Sequence, residues 1–132
     1  MEKTFVMIKP DGVSRGLVGE IISRFEKRGY KIEQMKSMFI DKALCAKHYS
    51  HLTSKPFYPE IEEYITGGMV ICMVLSGERV IEGVRQILGA TDCFEAQVGT
   101  IRATYATNKT KNLCHASDSP ESASEEIKRF FG

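Results

Sequence analysis

Apolar runs at strand spacing and one amphipathic segment divide the first third of the chain into elements. Residues 4–8 form a run without charged side chains, as expected for a central strand that is covered on both faces. Residues 18–25 place apolar side chains at helical spacing, and Gly29 is positioned to end that helix. Residues 31–39 predict a second strand, and Asp41 is a favourable N-cap for a short helix after it.

The middle of the chain predicts a helix, a strand and a second helix, and the segment after them has no regular spacing of apolar residues. Residues 60–65 predict a brief helix, and residues 69–75 are apolar enough for another buried strand. The next helix presents apolar side chains along one face and ends at Gly89. Residues 90–111 show no clear period, so we expect a long loop there, of the kind that often has a functional role.

The end of the chain predicts a short strand and a final helix. The strand is expected around Leu113 and Cys114. Ser119 is a good N-cap for the helix, and Pro120 suits its first position because the missing N–H has no partner there in any case. The side chains expected to face the core are Ala123, Ile127 and Phe131.

The larger elements follow the order strand, helix, strand, strand, helix, strand. This order matches the split βαβ arrangement of ferredoxin-like domains, an α+β sandwich with an antiparallel four-stranded sheet, here with added helices. A chain of 132 residues fits one domain of this kind, spanning residues 1–132.

Composition narrows the functional class. A formal net charge of +1 argues against a protein that coats nucleic acid, because that task usually requires a strong basic excess. The chain has no apolar run of membrane-spanning length, and its start lacks a signal-peptide pattern, so we expect a cytoplasmic protein. The four cysteines lack paired spacing and are expected to be free thiols, without a structural zinc site.

The common phosphate-binding motifs are missing from the chain, since neither G-x-x-x-x-G-K-[ST] nor G-x-G-x-x-G occurs. If the protein handles nucleotides, side chains must therefore hold the phosphates. Lys9, Arg85, Arg102 and His115 are candidates at element ends and in the long segment. Taken singly, each has an ordinary explanation, because surface cations and hydrogen-bonded structural histidines are common.

Seven segments, taken together, favour a functional explanation of these candidates. They are Ile8-Lys9-Pro10-Asp11-Gly12, residues 15–21, His48-Tyr49, Lys55-Pro56-Phe57, Leu88-Gly89-Ala90-Thr91, Gly99-Thr100-Ile101-Arg102 and residues 112–119. In these segments the chain resembles the nucleoside diphosphate kinase family, and they span nearly the whole chain in the family's order.

The resemblance implies an enzyme that maintains nucleoside triphosphate pools by a ping-pong reaction. His115 would take the γ-phosphate of a nucleoside triphosphate such as ATP and pass it to a nucleoside diphosphate. Glu126 would hold the proton on the other ring nitrogen, so that the nucleophilic nitrogen keeps its lone pair. Lys9, Arg85 and Arg102 match the family's phosphate-binding cations, which suits a transfer that depends on positioning and preorganised charge.

The resemblance also implies the rest of the nucleotide site and its partners. Tyr49, Thr91 and Asn112 would donate hydrogen bonds to phosphate or sugar, and Phe57 would pack on the base. Mg²⁺ would bridge the nucleotide's phosphates with few direct protein ligands. A homo-oligomer is expected, with a hexamer favoured over a tetramer or dimer.

Two alternatives from other classes remain at this point. A binding or regulatory module could keep the pocket and lack turnover, although the intact His115, Lys9, Arg102 and Glu126 speak against it. A role in binding nucleic acid is the weakest option because the charge is near neutral. Cys93 stands where the family commonly has proline, so we expect the loop around it to be less restrained.

Overall fold

The chain folds into four strands and seven α-helices, which a computed structural model describes over residues 1–132. None of these helices combines the length and the apolar composition that a membrane span requires. The strands are β1 (Lys3–Ile8), β2 (Lys31–Phe39), β3 (Met69–Ser76) and β4 (Cys114–Ala116). The helices are α1 (Pro10–Ser14), α2 (Val18–Lys27), α3 (Lys42–His48), α4 (Tyr58–Thr66), α5 (Val80–Leu88), α6 (Ile101–Tyr105) and α7 (Pro120–Phe131), with a 3-10 turn at Ser50–Leu52.

The four strands form one antiparallel sheet in the order β2-β3-β1-β4. This order and the flanking helices confirm the predicted ferredoxin-like fold. β1 lies between β3 and β4, and its register with β4 sets Met7 opposite His115. The backbone N–H of Lys9 then donates to the carbonyl of Leu113 at 2.8 Å. The end of β1 is therefore fixed beside the strand that carries His115.

Side chains alternate along β1 between two hydrophobic cores. Val6 and Ile8 join the core covered by α2 and α5, whereas Phe5 and Met7 join the core covered by α3, α4 and α7. All four side chains are fully buried. Coverage of both faces explains why the run is apolar rather than alternating.

The predicted helix boundaries have the expected caps. The Asp41 carboxylate accepts a hydrogen bond from the N–H of Leu44 at 2.8 Å, and the Ser119 hydroxyl accepts one from the N–H of Ser122 at 3.1 Å. Gly89 ends α5 with a φ of +88°, a backbone conformation that residues with a side chain rarely adopt. These local signals fix where three of the helices start or stop.

The prediction of a continuous loop from residue 90 to residue 111 is wrong at one place. Helix α6 lies within it, and the Thr100 hydroxyl caps this helix by accepting from the N–H of Ala103 at 3.3 Å. Five residues are too few to show a helical period. The last strand also starts one residue later than expected, because Leu113 has a φ of +78° that turns the chain just before β4.

The ends of the remaining loop are tied to the body of the protein. Arg24 donates to the carbonyl of Gly99 at 2.7 Å, and Arg102 donates to the carbonyl of Gly89 at 3.1 Å. Cys93, at the position where the family commonly has proline, is itself 7% exposed. Hydrogen bonds and burial thus restrain this loop in the folded state.

Phe131 packs against the core, as predicted, but its neighbour Phe130 is buried more deeply. Phe130 is the buried residue, 4% exposed, and its ring stacks on that of Phe5 with centroids 4.6 Å apart. Phe131 is only partly buried, with the Lys36 ammonium 4.8 Å from its ring centre. The spacing from Ala123 to Phe130 is seven residues, which returns to the same helix face after two turns.

We expect Phe130→Ala to destabilise the protein by about 3–5 kcal/mol, because it empties a packed site, whereas Phe131→Ala costs far less. Chemical denaturation of both variants at equal protein concentration measures the difference. Equal losses, or a larger loss for Phe131→Ala, would contradict this assignment of the core.

Candidate active site

A cavity of about 310 Å³ opens beside the β1–β4 strand pair. It contains eight of the nine site residues predicted from the sequence, brought together from α5, α6, β4, α7 and the segments between elements. Its lining residues are Lys9, His48, Tyr49, His51, Leu52, Arg85, Thr91, Arg102, Asn112, His115, Ala116, Asp118, Ser122 and Glu126.

His115 is held from one side by a carboxylate. Its Nε2 lies 3.0 Å from Oε1 of Glu126, and the same oxygen accepts a hydrogen bond from the Ser117 hydroxyl at 2.6 Å. Because an ionised carboxylate can only accept, a neutral His115 carries its proton on Nε2 and its lone pair on Nδ1. The hydrogen bond therefore selects the ring nitrogen that is able to act as a nucleophile.

The carboxyl group of Glu126 stays ionised although it is partly buried. Burial alone would raise the pKa of its carboxyl group, but the hydrogen bonds from His115 and Ser117 outweigh burial and hold that pKa below its usual value. Glu126 lies on α7 and Ser117 follows β4, so the last helix and the last strand fix the histidine jointly.

Lys9 brings a titratable cation into the cavity. It is the residue before α1, and its Nζ donates to Oδ1 of Asn112 at 2.7 Å. Burial, followed by the nearby charge of Arg102, lowers the pKa of the Lys9 ammonium to about 8. Both causes disfavour the charged form of Lys9, since burial removes its hydration and Arg102 repels it.

Two arginines complete the cationic lining. Arg102 is 5% exposed and donates to the carbonyls of Gly89 at 3.1 Å and Cys114 at 2.6 Å. Arg85 donates to the carbonyl of Ala116 at 3.1 Å. Backbone carbonyls thus orient both guanidinium groups without neutralising them.

No carboxylate forms an ion pair with Lys9, Arg85 or Arg102. Partly buried cations without a carboxylate partner attract anions more strongly than the same charges would in water. By contrast, a larger groove of about 470 Å³ between α2 and α5 contains Arg79 already paired with Glu82. The smaller cavity is the better anion site.

Hydroxyl and amide groups supply further donors. The Asn112 amide, 2% exposed, connects Lys9 to the loop by donating to the carbonyl of Thr91 at 3.5 Å. Burial raises the pKa of the Tyr49 phenol, so this group remains a hydroxyl donor at any physiological pH.

Phe57 is the one predicted site residue that does not line the cavity. It precedes α4, and its side chain is 50% exposed.

The sequence reasoning assigned no role to three residues that contact the side chains of this site. Ser117 is fully buried and shares the carboxylate of Glu126 with His115. His48 lies with its ring centre 4.7 Å from that of His115, and Arg129 contacts its Nδ1 at 3.0 Å. The pair His48-Tyr49 was a visible signal, but only its tyrosine was assigned a role.

Known proteins match this chain along its whole length. The family model for nucleoside diphosphate kinase matches residues 2–132. A nucleoside diphosphate kinase of Acetivibrio thermocellus is 57% identical over 131 residues, which are 99% of this chain and 96% of that protein.

Solved structures agree with the sequence match. The apo nucleoside diphosphate kinase of Encephalitozoon cuniculi has a TM-score of 0.97 at 42% identity, covering 100% of this chain and 90% of that one. The halophilic enzyme of Halobacterium salinarum, solved in complex with CDP, has a TM-score of 0.95 at 44% identity, with coverages of 98% and 87%. The chain therefore belongs to the nucleoside diphosphate kinase family, and its activity is the transfer of phosphate between nucleotides.

Proposed function

We propose that this transfer proceeds in two steps through a phosphohistidine at His115. The Nδ1 lone pair attacks the γ-phosphorus of a nucleoside triphosphate such as ATP, a P–N bond forms, and the bond to the bridging oxygen breaks to release the diphosphate. A second diphosphate then accepts the phosphoryl group through its terminal oxygen, and His115 is regenerated. The observation that carries this proposal is the 3.0 Å contact between Nε2 of His115 and Oε1 of Glu126 inside a cavity lined by cations.

The cations act by stabilising the charge of the transferring group. Phosphoryl transfer spreads negative charge over the equatorial oxygens, so positioning and fixed positive charge supply most of the rate. Lys9, Arg85 and Arg102 are held in place by Asn112 and by backbone carbonyls, and little reorganisation is needed when the nucleotide binds. Tyr49 and Thr91 act beside them as further contacts to phosphate or sugar.

Nucleoside di- and triphosphates of several bases are the proposed substrates. A base that stacks on Phe57, whose ring is half exposed, would be bound without a hydrogen-bond code, because every base has a π face. Such a contact tolerates any base and accounts for a broad nucleotide preference.

Magnesium is the proposed metal, bound mainly through nucleotide phosphates. Of the two carboxylates that line the cavity, Glu126 is already hydrogen-bonded to His115 and Ser117, which leaves the exposed Asp118. This donor set fits Mg²⁺, which commonly keeps several waters and few protein ligands. The ion would neutralise part of the charge on the phosphates.

We also propose a homo-oligomer in the cytoplasm. β2 forms an edge of the sheet, most of its nine residues are exposed, and Met35 and Phe39 are 53% and 70% exposed. A long edge strand with apolar side chains favours pairing with another chain. Four free, buried cysteines suit a reducing compartment.

The hexamer, the family's commonest form, is favoured over a tetramer or dimer. Sedimentation equilibrium is expected to give six times the chain mass of 14.8 kDa. A single species at the chain mass under micromolar conditions would contradict the oligomer proposal.

Incubation with ATP labelled at its γ-phosphate is expected to leave an acid-labile, base-stable label on the protein. His115→Ala is expected to abolish this label, and His51→Ala, which removes another histidine of the same cavity, is expected to retain it. Phosphate analysis after gel separation measures both. A label of normal stoichiometry on the His115→Ala variant would place the nucleophile elsewhere.

The titration of Lys9 predicts how nucleotide binding depends on pH. A lysine with a pKa near 8 is cationic below that pH and loses its charge above it, so affinity for a non-transferable triphosphate analogue should fall several-fold between about pH 7 and about pH 9. Lys9→Arg should flatten this step, because a guanidinium stays charged throughout the range.

Calorimetric titration at several pH values measures both proteins. The role given to Lys9 is wrong if the wild-type affinity is constant over this range, or if Lys9→Arg shows the same fall.

A further inference from the structure

His48 is a buried histidine that the proposed transfer does not use. It ends α3, is 7% exposed, and packs its ring edge-on against those of Tyr49, His115 and Phe130 at centroid distances of 4.7, 4.7 and 5.2 Å. A polar ring surrounded by aromatic groups needs an explanation, because burying it costs free energy unless its nitrogens find partners.

Arg129 determines which nitrogen of His48 carries the proton. Its guanidinium lies 3.0 Å from Nδ1 of His48, and a guanidinium can only donate hydrogen bonds. Nδ1 must therefore present its lone pair, and the proton of the neutral ring sits on Nε2. Burial and the charge of His115 lower the pKa of His48 to about 3, so the ring stays neutral at physiological pH.

The Nε2–H group of His48 is buried and has no hydrogen-bond partner. One nitrogen of His48, one nitrogen of His115 and one oxygen of Glu126 all lie within 4.8 Å of one another. The planes of the two imidazoles cross at 83°. The unpartnered ring is thus packed against the pair of residues that carries the proposed chemistry.

These three side chains do not suit a metal ion. A metal bound at Nε2 of His48 would require the proton to move to Nδ1, where it would face the N–H of Arg129. The charges of Arg129 and Lys9, which disfavour protonation of His48, would also repel a dication.

We propose that His48, held in a single neutral tautomer by Arg129, is a positioning residue for His115. Glu126 fixes one nitrogen of the nucleophile but leaves its ring able to tilt about that hydrogen bond. The edge-on contact with His48 fixes the plane of the His115 ring. Together the two contacts set the direction in which the Nδ1 lone pair of His115 points. This role rests on His115 being the nucleophile.

Arg129 is needed for His48 to position His115 in this way. Without its N–H, the neutral His48 can take either tautomer, and the tautomer with Nδ1 protonated has a lone pair in place of the N–H at Nε2. Small errors in the direction of attack are costly in a transfer that depends on alignment.

Arg129→Met tests this proposal because it removes the donor and keeps much of the aliphatic stem. The rate of His115 phosphorylation by ATP is expected to fall at least about tenfold, with little change in the KM for nucleotide, since Arg129 does not line the cavity. Arg129→Lys, which keeps a donor, should recover part of the rate. Lys128→Met, an exposed neighbour on the same helix, is the control and should behave as wild type.

Nitrogen-15 NMR of the histidine side chains gives a readout that is independent of turnover. The wild-type protein is expected to show His48 protonated at Nε2 alone, and Arg129→Met is expected to show both tautomers. His48 protonated at Nδ1 in the wild type, or a folded Arg129→Met protein with normal phosphorylation, would overturn the proposal. Neither result bears on the assignment of His115, which loss of the phosphate label tests separately.

Discussion

The hydrogen bond from His115 to Glu126 is the contact on which the proposed function of this molecule depends. It joins β4 to α7, the last strand to the last helix, and it decides which ring nitrogen is free to react. Ser117 supports the same carboxylate oxygen, and its hydroxyl also accepts from the N–H of Phe5 on the central strand at 3.3 Å. The orientation of one imidazole is thereby connected to the core of the fold.

The cations around this contact repel one another in the free protein, and a bound nucleotide would relieve that repulsion. Lys9, Arg85 and Arg102 converge without a carboxylate to neutralise them, and burial has already weakened the hold of Lys9 on its proton. Such a cluster is unfavourable in the free protein and becomes favourable when phosphate oxygens enter. In the proposed mechanism, relief of this repulsion contributes to nucleotide binding and to stabilisation of the transferring group.

Sequence reasoning succeeded where a local pattern has one structural meaning. The run along β1, the caps at Asp41 and Ser119, and the order of the larger elements all led to the observed fold. It failed for α6, which is too short for a period, and for Phe130, whose burial depends on its packing against Phe5. His48 and Ser117 were missed because their importance arises from contacts across the fold, which no spacing in the chain reveals.

The position of phosphate on the histidine ring tests the central claim most directly. With Nε2 bonded to Glu126, the account predicts that the phosphoenzyme carries its P–N bond at Nδ1 of His115, which nitrogen–phosphorus coupling in NMR identifies. Attachment at Nε2 would contradict it, because the contact with Glu126 would then have to break before every transfer.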